Sequence, residues 1–485
     1  MFTLPLDLLF IFAVTTPFIG WITLKLNRRG LCSAYAALGL VVSGVALYNL
    51  FLRVSVSVVR FSSRIGFFSS CFRIDMLSIF MAAVYMMLGF FATVYSVKYM
   101  QRDTGVSLYY TLLLAMIGGM IGVVFAGDLF TLFVFWELMC ITSYVLVAFR
   151  KENWEPIEAG LKYLIMSSAG SATVLFGMSL IYGMTGTLNF EGLASTLGGI
   201  ESNGWLYMAS LLILIGFGVK AAIVPLHTWL PDAHSAAPSP ISAMLSGVVI
   251  ETGVYALCRT FFTAFFSIQI QWFTVLASLS VITMTLGNLT ALLQRDLKRL
   301  LAYSSIGHVG YMLVGLSVGT QLGLTGATLH IFNHALMKGT AFLCAGAIIY
   351  RLGTRQLDEI AGVGRKMPIT SVAFAISLFA LTGMPPLNGF VSELILFSST
   401  VQANVAWLGI AIVLNSALSA GYYLRVIHVL IQSSNSEKLG KVKEAPVMML
   451  APICIMAALI ILFGVWPDPV LEFAKKAAVG LLSMR

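Results

Sequence analysis

Three basic side chains recur four residues apart in LHIFNHALMKGTAFLC (Leu329–Cys344): His330, His334 and Lys338. On a helix this spacing stacks them on one face. A column of imidazoles ending in an ammonium group suits a water-linked proton path, because imidazole changes charge near neutral pH. Two histidines at this spacing can also ligate zinc. No carboxylate or thiolate stands at ligand spacing, so no metal and no other cofactor is expected. The plain alternative is a pair of histidines donating to neighbouring helix carbonyls.

A second stretch, LIGFGVKAAIVPLHTWLPDAHSAAPSP (Leu214–Pro240), carries Lys220 inside an apolar run, then Pro225, His227, Asp232 and His234. A lysine held between desolvation and a nearby carboxylate can switch charge during a cycle. Glu137, in FVFWELMC, is the expected partner. The alternatives are a lysine that snorkels to an interface and a glutamate in a static ion pair. Glu251, in GVVIETGVYAL, and Glu393, in FVSELILF, lack a local partner, so each needs one from another helix. Glu251 is expected to link the two halves of the chain, and Glu393 to be the terminal titrating group of the second half. His308, in LKRLLAYSSIGHVGYMLVG, either passes protons between the halves or is a satisfied interior histidine. Asp232 and His234 read as a loop past the first break, an entry site or ordinary solvated residues.

Such groups must be enclosed by something, and the composition says by what. Of 485 residues, 59% are hydrophobic and 10% charged, against about 25% charged in soluble proteins. This is a polytopic membrane protein. Its net charge of +9 is no nucleic-acid signature, because the basic residues gather at the ends of apolar runs, where they orient a membrane protein. Six cysteines lie singly, without a CxxC or CxxCH pair, which argues against iron–sulfur, zinc and c-type haem sites.

A span needs about 20 apolar residues. Such segments fall near 4–24, 31–52, 74–97, 108–126, 128–149, 158–184, 205–226, 239–262, 270–293, 300–319, 321–350, 368–400, 405–431 and 447–466, roughly fourteen spans in all. Basic residues come after the first run rather than before it, unlike a secretory signal. The first run therefore reads as an uncleaved helix with its N-terminus outside. The odd-numbered loops then collect seventeen basic residues, among them Lys25, Arg28, Arg29, Arg295, Lys298, Arg299, Arg355, Lys438 and Lys441. The outer side receives eight: Arg53, Arg60, Arg64, Arg73, Arg259, Lys475, Lys476 and Arg485. That bias puts the odd loops in the cytoplasm and both termini outside, in a cell (inner) membrane. Lys162, Lys220, Lys338 and Arg425 remain inside spans, with Glu137, Glu251, Glu393, His308, His330 and His334. Charged groups at mid-bilayer are costly and usually face a polar interior path.

Two spans are interrupted: the one holding Pro225 and Pro231, and ALTGMPPLNGFVSELILF (Ala380–Phe397), with Gly383, Pro385, Pro386 and Gly389. Proline removes a backbone donor, and the freed carbonyls need protein or water. Paired broken helices point to an internal repeat around a midplane ion site. A faint second trace agrees: GVYALCR (Gly253–Arg259) and GYYLRVI (Gly421–Ile427) both place Gly and Tyr two residues apart.

Through these residues the sequence closely resembles the antiporter-like membrane subunits shared by respiratory complex I, Mrp-type multisubunit Na+/H+ antiporters and membrane-bound hydrogenases. The matching motifs are FVFWELM, GFGVKAAIVPLHTWLPDAHSAAPSPISAMLSG, DLKRLLAYSSIGHVGYM, LHIFNHALMKGTAFL and GMPPLNGFVSE, from about residue 105 to 400. The resemblance implies an all-α fold of about 14 transmembrane helices, with two inverted five-helix repeats and a broken helix in each. The expected division is N-terminal helices over 1–104, a first repeat over 105–262, a second over 263–431, and a C-terminal loop and last helix over 432–485. It also implies a hydrated axis of charged groups in the membrane plane, with Glu137 paired to Lys220 and with His330, His334 and Lys338 along it. Protons, with Na+ as a second exchanged ion, would move through a subunit that has no redox centre of its own and sits beside other antiporter-like subunits. Many members carry lysine where this chain has Glu251, which reverses the charge at the link between the halves. A stand-alone carrier for a solute and a quinone-binding redox subunit are the competing classes. The titratable line across both halves disfavours the first, and the lack of centre ligands disfavours the second.

Overall fold

A backbone in lipid must satisfy its own hydrogen bonds, so long apolar runs become helices. The computed structural model describes all residues but 1–3, 27–29, 66–67, 200–203, 266–268, 433–439, 441 and 484–485. Arg28, Arg29, Lys438, Lys441 and Arg485 of the charge comparison lie outside the described residues. The helices are α1 (Leu4–Leu26), α2 (Leu31–Val54), α3 (Met76–Tyr99), α4 (Val106–Phe125), α5 (Leu129–Val147), α6 (Trp154–Thr185), α7 (Phe190–Leu197), α8 (Gly204–Lys220) and α9 (Trp229–Ala236). Then come α10 (Ser239–Met244), α11 (Ile250–Thr263), α12 (Gln269–Leu292), α13 (Leu297–Val318), α14 (Gln321–Leu352), α15 (Pro368–Leu381), α16 (Asn388–Gln402), α17 (Ala406–Ile431), α18 (Val447–Val465) and α19 (Asp468–Leu482).

Among the described residues, twelve helices are long and apolar enough to cross a membrane, α10 and α11 counting as one. Two shorter apolar helices, α8 and α15, are the first halves of the interrupted spans, and together these account for the fourteen segments. α19 is an amphipathic tail packed on α3 and α14. The all-α expectation needs one addition: the arginine-rich run after α2 folds into an antiparallel hairpin, β1 (Val59–Ile65) with β2 (Phe68–Ile74), Arg60 opposite Arg73. Both arginines reach Glu191 at the start of α7.

Aspartates start several helices by accepting orphan amide hydrogens. Asp75 accepts from Ser78 N at 3.0 Å, Asp128 from Thr131 N at 2.6 Å, and Asp296 from Lys298 N at 2.8 Å. Two of these caps share a wider pattern. Leu129 N donates to Leu188 O and Phe190 N to Gly127 O, clamping the start of α5 to the loop after α6. Leu297 N donates to Arg355 O and Leu357 N to Arg295 O, clamping the start of α13 to the loop after α14 in the same way. Both second helices, α6 and α14, run 32 residues and end on a left-handed glycine, Gly186 and Gly353.

The breaks correct the sequence reading in position. The first comes at Lys220, where α8 ends, ahead of Pro225. The chain turns through Ala222 (φ 55°) before α9 begins. Asp232 and His234 therefore lie on a helix, not in a loop. Trp229 Nε1 donates to Val219 O at 2.8 Å, beside the Ala222 amide on the same carbonyl, and so ties the two halves across the break. The second break turns through Gly383 (φ 71°) and the Pro385–Pro386 pair. At Gly389 an added Cβ would stand 1.9 Å from Ala380 O, so only glycine lets α16 pass the end of α15.

Arg259 is not the loop charge the topology count took it for. It is buried on α11 and grips Asp75 at 2.6 and 2.8 Å, with Tyr255 OH at 3.0 Å from its Nε. Lys162 also departs from expectation: it is half-exposed on α6 and pairs with Glu158 and Asp232. Arg425 is partly buried and donates to Leu292 O and Gln294 O. Removing one partner of a buried pair leaves an uncompensated charge, so Arg259→Ala should lower stability by about 3–5 kcal/mol. Thermal unfolding of the detergent-solubilised chain measures this. A melting curve that matches the unsubstituted protein would show that the pair contributes nothing.

Candidate functional site

Lys220 closes α8 at 1% exposure. The expected ion pair with Glu137 is not formed. Nζ instead donates to Tyr163 OH at 2.5 Å and Ser143 Oγ at 3.2 Å, and it lies over the Tyr163 and Tyr144 rings at 4.7 and 5.6 Å. Tyr163 is fixed in turn by parallel stacking on Trp229, 3.9 Å between centroids. The broken helix thus supplies both the ammonium group, from its first half, and the platform for its hydroxyl partner, from its second. Glu137 sits nearer the start of α5 than Ser143, and its Oε1 is buried without a hydrogen-bond partner among the described residues. Static pairing, the plain reading of Glu137, is not what holds it. Snorkelling does not describe Lys220, whose ammonium group is enclosed by hydroxyls and rings.

Glu251 and His334 are brought together from different helices: Oε1 lies 2.7 Å from Nδ1, both side chains at 0% exposure. A π turn at Leu245–Val249 precedes Glu251. Such a turn inserts an extra residue and re-aims the side chains beyond it, and it marks functional sites often. Glu251 Oε2 and His334 Nε2 have no partner among the described residues. His334 packs against His308 with centroids 5.1 Å apart. His308 Nδ1 and His330 Nε2 are hydrogen-bonded at 3.2 Å, the tautomers deciding which donates. His330 Nδ1 continues to Ser392 Oγ at 3.0 Å. Tyr423 OH lies 3.3 Å from both His308 Nε2 and Lys338 Nζ, and so ties the lysine to the imidazoles. Lys338 also donates to Ser304 Oγ and to Leu301 O.

Glu393 reaches the same cluster through hydroxyls. Ser416 Oγ donates to its Oε2 at 2.8 Å and is hydrogen-bonded to Tyr311 OH, whose ring packs on His308 and His330. Its carboxylate rests on the second break, against Gly383. Seven residues past Pro386 stands Glu393, and seven past Pro225 stands Asp232, but their surroundings differ. Asp232 is ion-paired to Lys162 at 3.0 Å and Arg299 at 2.8 Å near the surface. His234 is buried, and neither ring nitrogen has a partner among the described residues.

The structure therefore gathers Glu251, His334, His308, His330, Lys338 and Glu393 into one connected set; Lys220 lies apart from it with Tyr163 and Ser143, and Glu137 is ion-paired to neither among the described residues. Tyr163, Ser143, Tyr423, Ser392, Ser416 and Tyr311 were missed from sequence. Hydroxyls are common in membrane helices, and nothing in their spacing marks five of these; Tyr423 stands in GYYLRVI, where its spacing from Gly421 marked a repeat and not a site. Tyr163→Phe keeps the stack on Trp229 but removes the hydroxyl partner of the Lys220 ammonium, leaving it Ser143 Oγ, which itself donates to Cys140 O. It should lower stability by about 1–3 kcal/mol, more than Tyr207→Phe at a partly buried position of α8, and paired thermal melts of the two variants compare them.

Known proteins share this chain's sequence pattern and fold. Residues 126–419 match the family described as "NADH:quinone oxidoreductase/Mrp antiporter, TM". Residues 66–110 match "NADH-Ubiquinone oxidoreductase (complex I), chain 5 N-terminus". The chain is 35% identical to F(420)H(2) dehydrogenase subunit N of Methanosarcina mazei over 431 residues, 87% of each chain. It is 31% identical to NADH-quinone oxidoreductase subunit N of Desulforamulus reducens over 98% of this chain and 97% of that one. Its fold superposes on a chain of the archaeal membrane-bound sulfane sulfur reductase with a TM-score of 0.89 at 29% identity, covering 99% of this chain and 97% of that one. A chain of the Mrp complex from Dietzia gives 0.88 at 25% identity, covering 99% and 98%.

Proposed function

Because the chain belongs to the NADH:quinone oxidoreductase/Mrp antiporter transmembrane family, we propose that it moves protons across a cell membrane as one subunit of a larger complex. One observation carries this reading: the buried contact chain from Glu251 through His334, His308 and His330, with Lys338 joined by Tyr423 and Glu393 by Ser416. Buried titratable groups in contact can pass a proton without exposing charge to lipid. Lys220 and Glu137 form the entry set of the first half, and the Glu251–His334 pair receives protons from it. A carboxyl and an imidazole share one proton between them, so this link works with a negative partner where many relatives carry lysine. Glu393 is the terminal group of the second half, and Na+ is the alternative ion to be exchanged.

The partners are other membrane subunits, antiporter-like ones among them, in a complex whose redox or gradient drive lies outside this chain. The names of relatives in F420H2 and NADH–quinone dehydrogenases, and of neighbours in Mrp and sulfur-reducing complexes, support that setting. The twin backbone clamps on α5–α6 and α13–α14 support two repeats, over 105–262 and 263–431, between N-terminal helices (1–104) and a C-terminal segment (432–485). The basic-residue bias supports an inner membrane orientation with both termini outside.

In the assembled complex in liposomes, Lys220→Ala and Glu137→Ala should abolish proton transport. Glu251→Gln keeps a hydrogen bond to His334 but cannot titrate, and should slow transport by roughly 100-fold. Full transport in both alanine variants would remove the proposed role. If the purified chain alone transported a solute, with no copurifying subunits, it would be a stand-alone carrier instead.

A further inference from the structure

Of the two histidines in the first interrupted stretch that the contact chain leaves aside, His227 is partly exposed and His234 is fully buried. Its ring is at 0% exposure, and both nitrogens lack a hydrogen-bond partner among the described residues. Burying a polar group unsatisfied is costly. Such groups in native proteins commonly mark a catalytic role or a bound water. The ring lies flat on Phe342, 4.8 Å between centroids at 15°. Phe342 is four residues past Lys338, so it prolongs the face that carries His330, His334 and Lys338. His234 thus stands beside the lysine end of the column, one turn further on.

Close to it in the chain packing is Lys298, buried at 3% exposure. Its Nζ donates to Ala237 O at 2.6 Å and sits 3.5 Å from Ser235 O, the carbonyls just past His234. Lys298 belongs to the first turn of α13, capped by Asp296. Asp296 is ion-paired to Arg355, which also holds Glu155 and is about one-third exposed. A sequence of titratable groups therefore runs from a solvated cluster through Lys298 and His234 to Lys338.

We propose that His234 is a proton-relaying residue that connects the Lys298 end of α13 to Lys338, giving the second half of the buried line an entry of its own from the basic-rich side of the protein, used only in a stroke that the Lys220 set triggers. The inference rests on the proton-transfer reading above. A water on each side of the ring bridges it to the two amines. The neutral imidazole takes a proton at one ring nitrogen, supplied from Lys298, and releases the proton of the other nitrogen to Lys338. A ring flip then restores the first tautomer.

The test uses the assembled complex in liposomes, with His234→Phe, Lys298→Met and the double variant beside Lys220→Ala. Phenylalanine keeps the stack on Phe342 and cannot carry a proton. Each single variant should slow proton transport about tenfold, and the double variant no further, because the two groups act in series. Chemical rescue separates relay from packing: added imidazole should restore transport to His234→Ala and leave Lys220→Ala inactive. Unchanged transport in His234→Phe, with Lys220→Ala inactive, overturns the second entry and leaves the main reading standing. Unchanged transport in Lys220→Ala as well overturns both. Should His234→Phe fail to assemble, Lys298→Met decides alone, and wild-type transport in it refutes the relay.

Discussion

Inside a bilayer, a polar group has only the protein to bond with, and this constraint organises the molecule. Lys220, Lys338, Glu251 and four histidines lie within or beside membrane helices, and none can rely on bulk water. The protein answers mostly with neutral groups. Hydroxyls of Tyr163 and Ser143 receive the Lys220 ammonium, Ser304 and Tyr423 receive that of Lys338, and Ser416 serves the Glu393 carboxylate. The Asp75–Arg259 pair is the contrasting case, a buried ion pair satisfied on both sides and capped into α3. Full ionic satisfaction suits a structural anchor. Partial satisfaction by hydroxyl and imidazole leaves room for a proton to move.

The same constraint governs the breaks. An interrupted helix exposes carbonyls and amides that its own turns no longer bond. At the first break, the Trp229 indole joins the Ala222 amide on Val219 O, and Val224 N donates to Thr283 Oγ1. At the second, Gly389 lets the two half-helices overlap, and the Glu393 carboxylate closes on Gly383. Each break delivers a titratable group to the interior, but from opposite halves: Lys220 ends the half-helix before its break, and Glu393 comes after its own. The equivalent position to Glu393, Asp232, is drawn to the surface by Lys162 and Arg299. The two breaks thus hold different chemistry.

Much of this was legible in the residues. Hydropathy alone located the fourteen segments, because the length needed to cross lipid is fixed and charges inside it are rare. The prolines and glycines marked both breaks. The i, i+4 spacing put His330, His334 and Lys338 on one face, and they remain on it. The requirement that Glu251 and Glu393 find partners on other helices was met by His334 and Ser416. The hairpin was hidden because its arginines looked like loop charges, and Arg259 was misplaced because charge counting cannot see a partner 184 residues away.

The sequence determined that a line of titratable groups must be buried between helices, since each type and position comes from local pattern and the cost of charge in lipid. Only the tertiary structure decided which groups meet. Glu137 and Lys220 are the natural opposite charges, yet packing seats Lys220 against Tyr163 and Ser143, while a π turn carries Glu251 to His334. The reason is physical: helical periodicity fixes the face a side chain shares with its own neighbours, whereas the distance to another helix depends on crossing and register, which no single segment encodes.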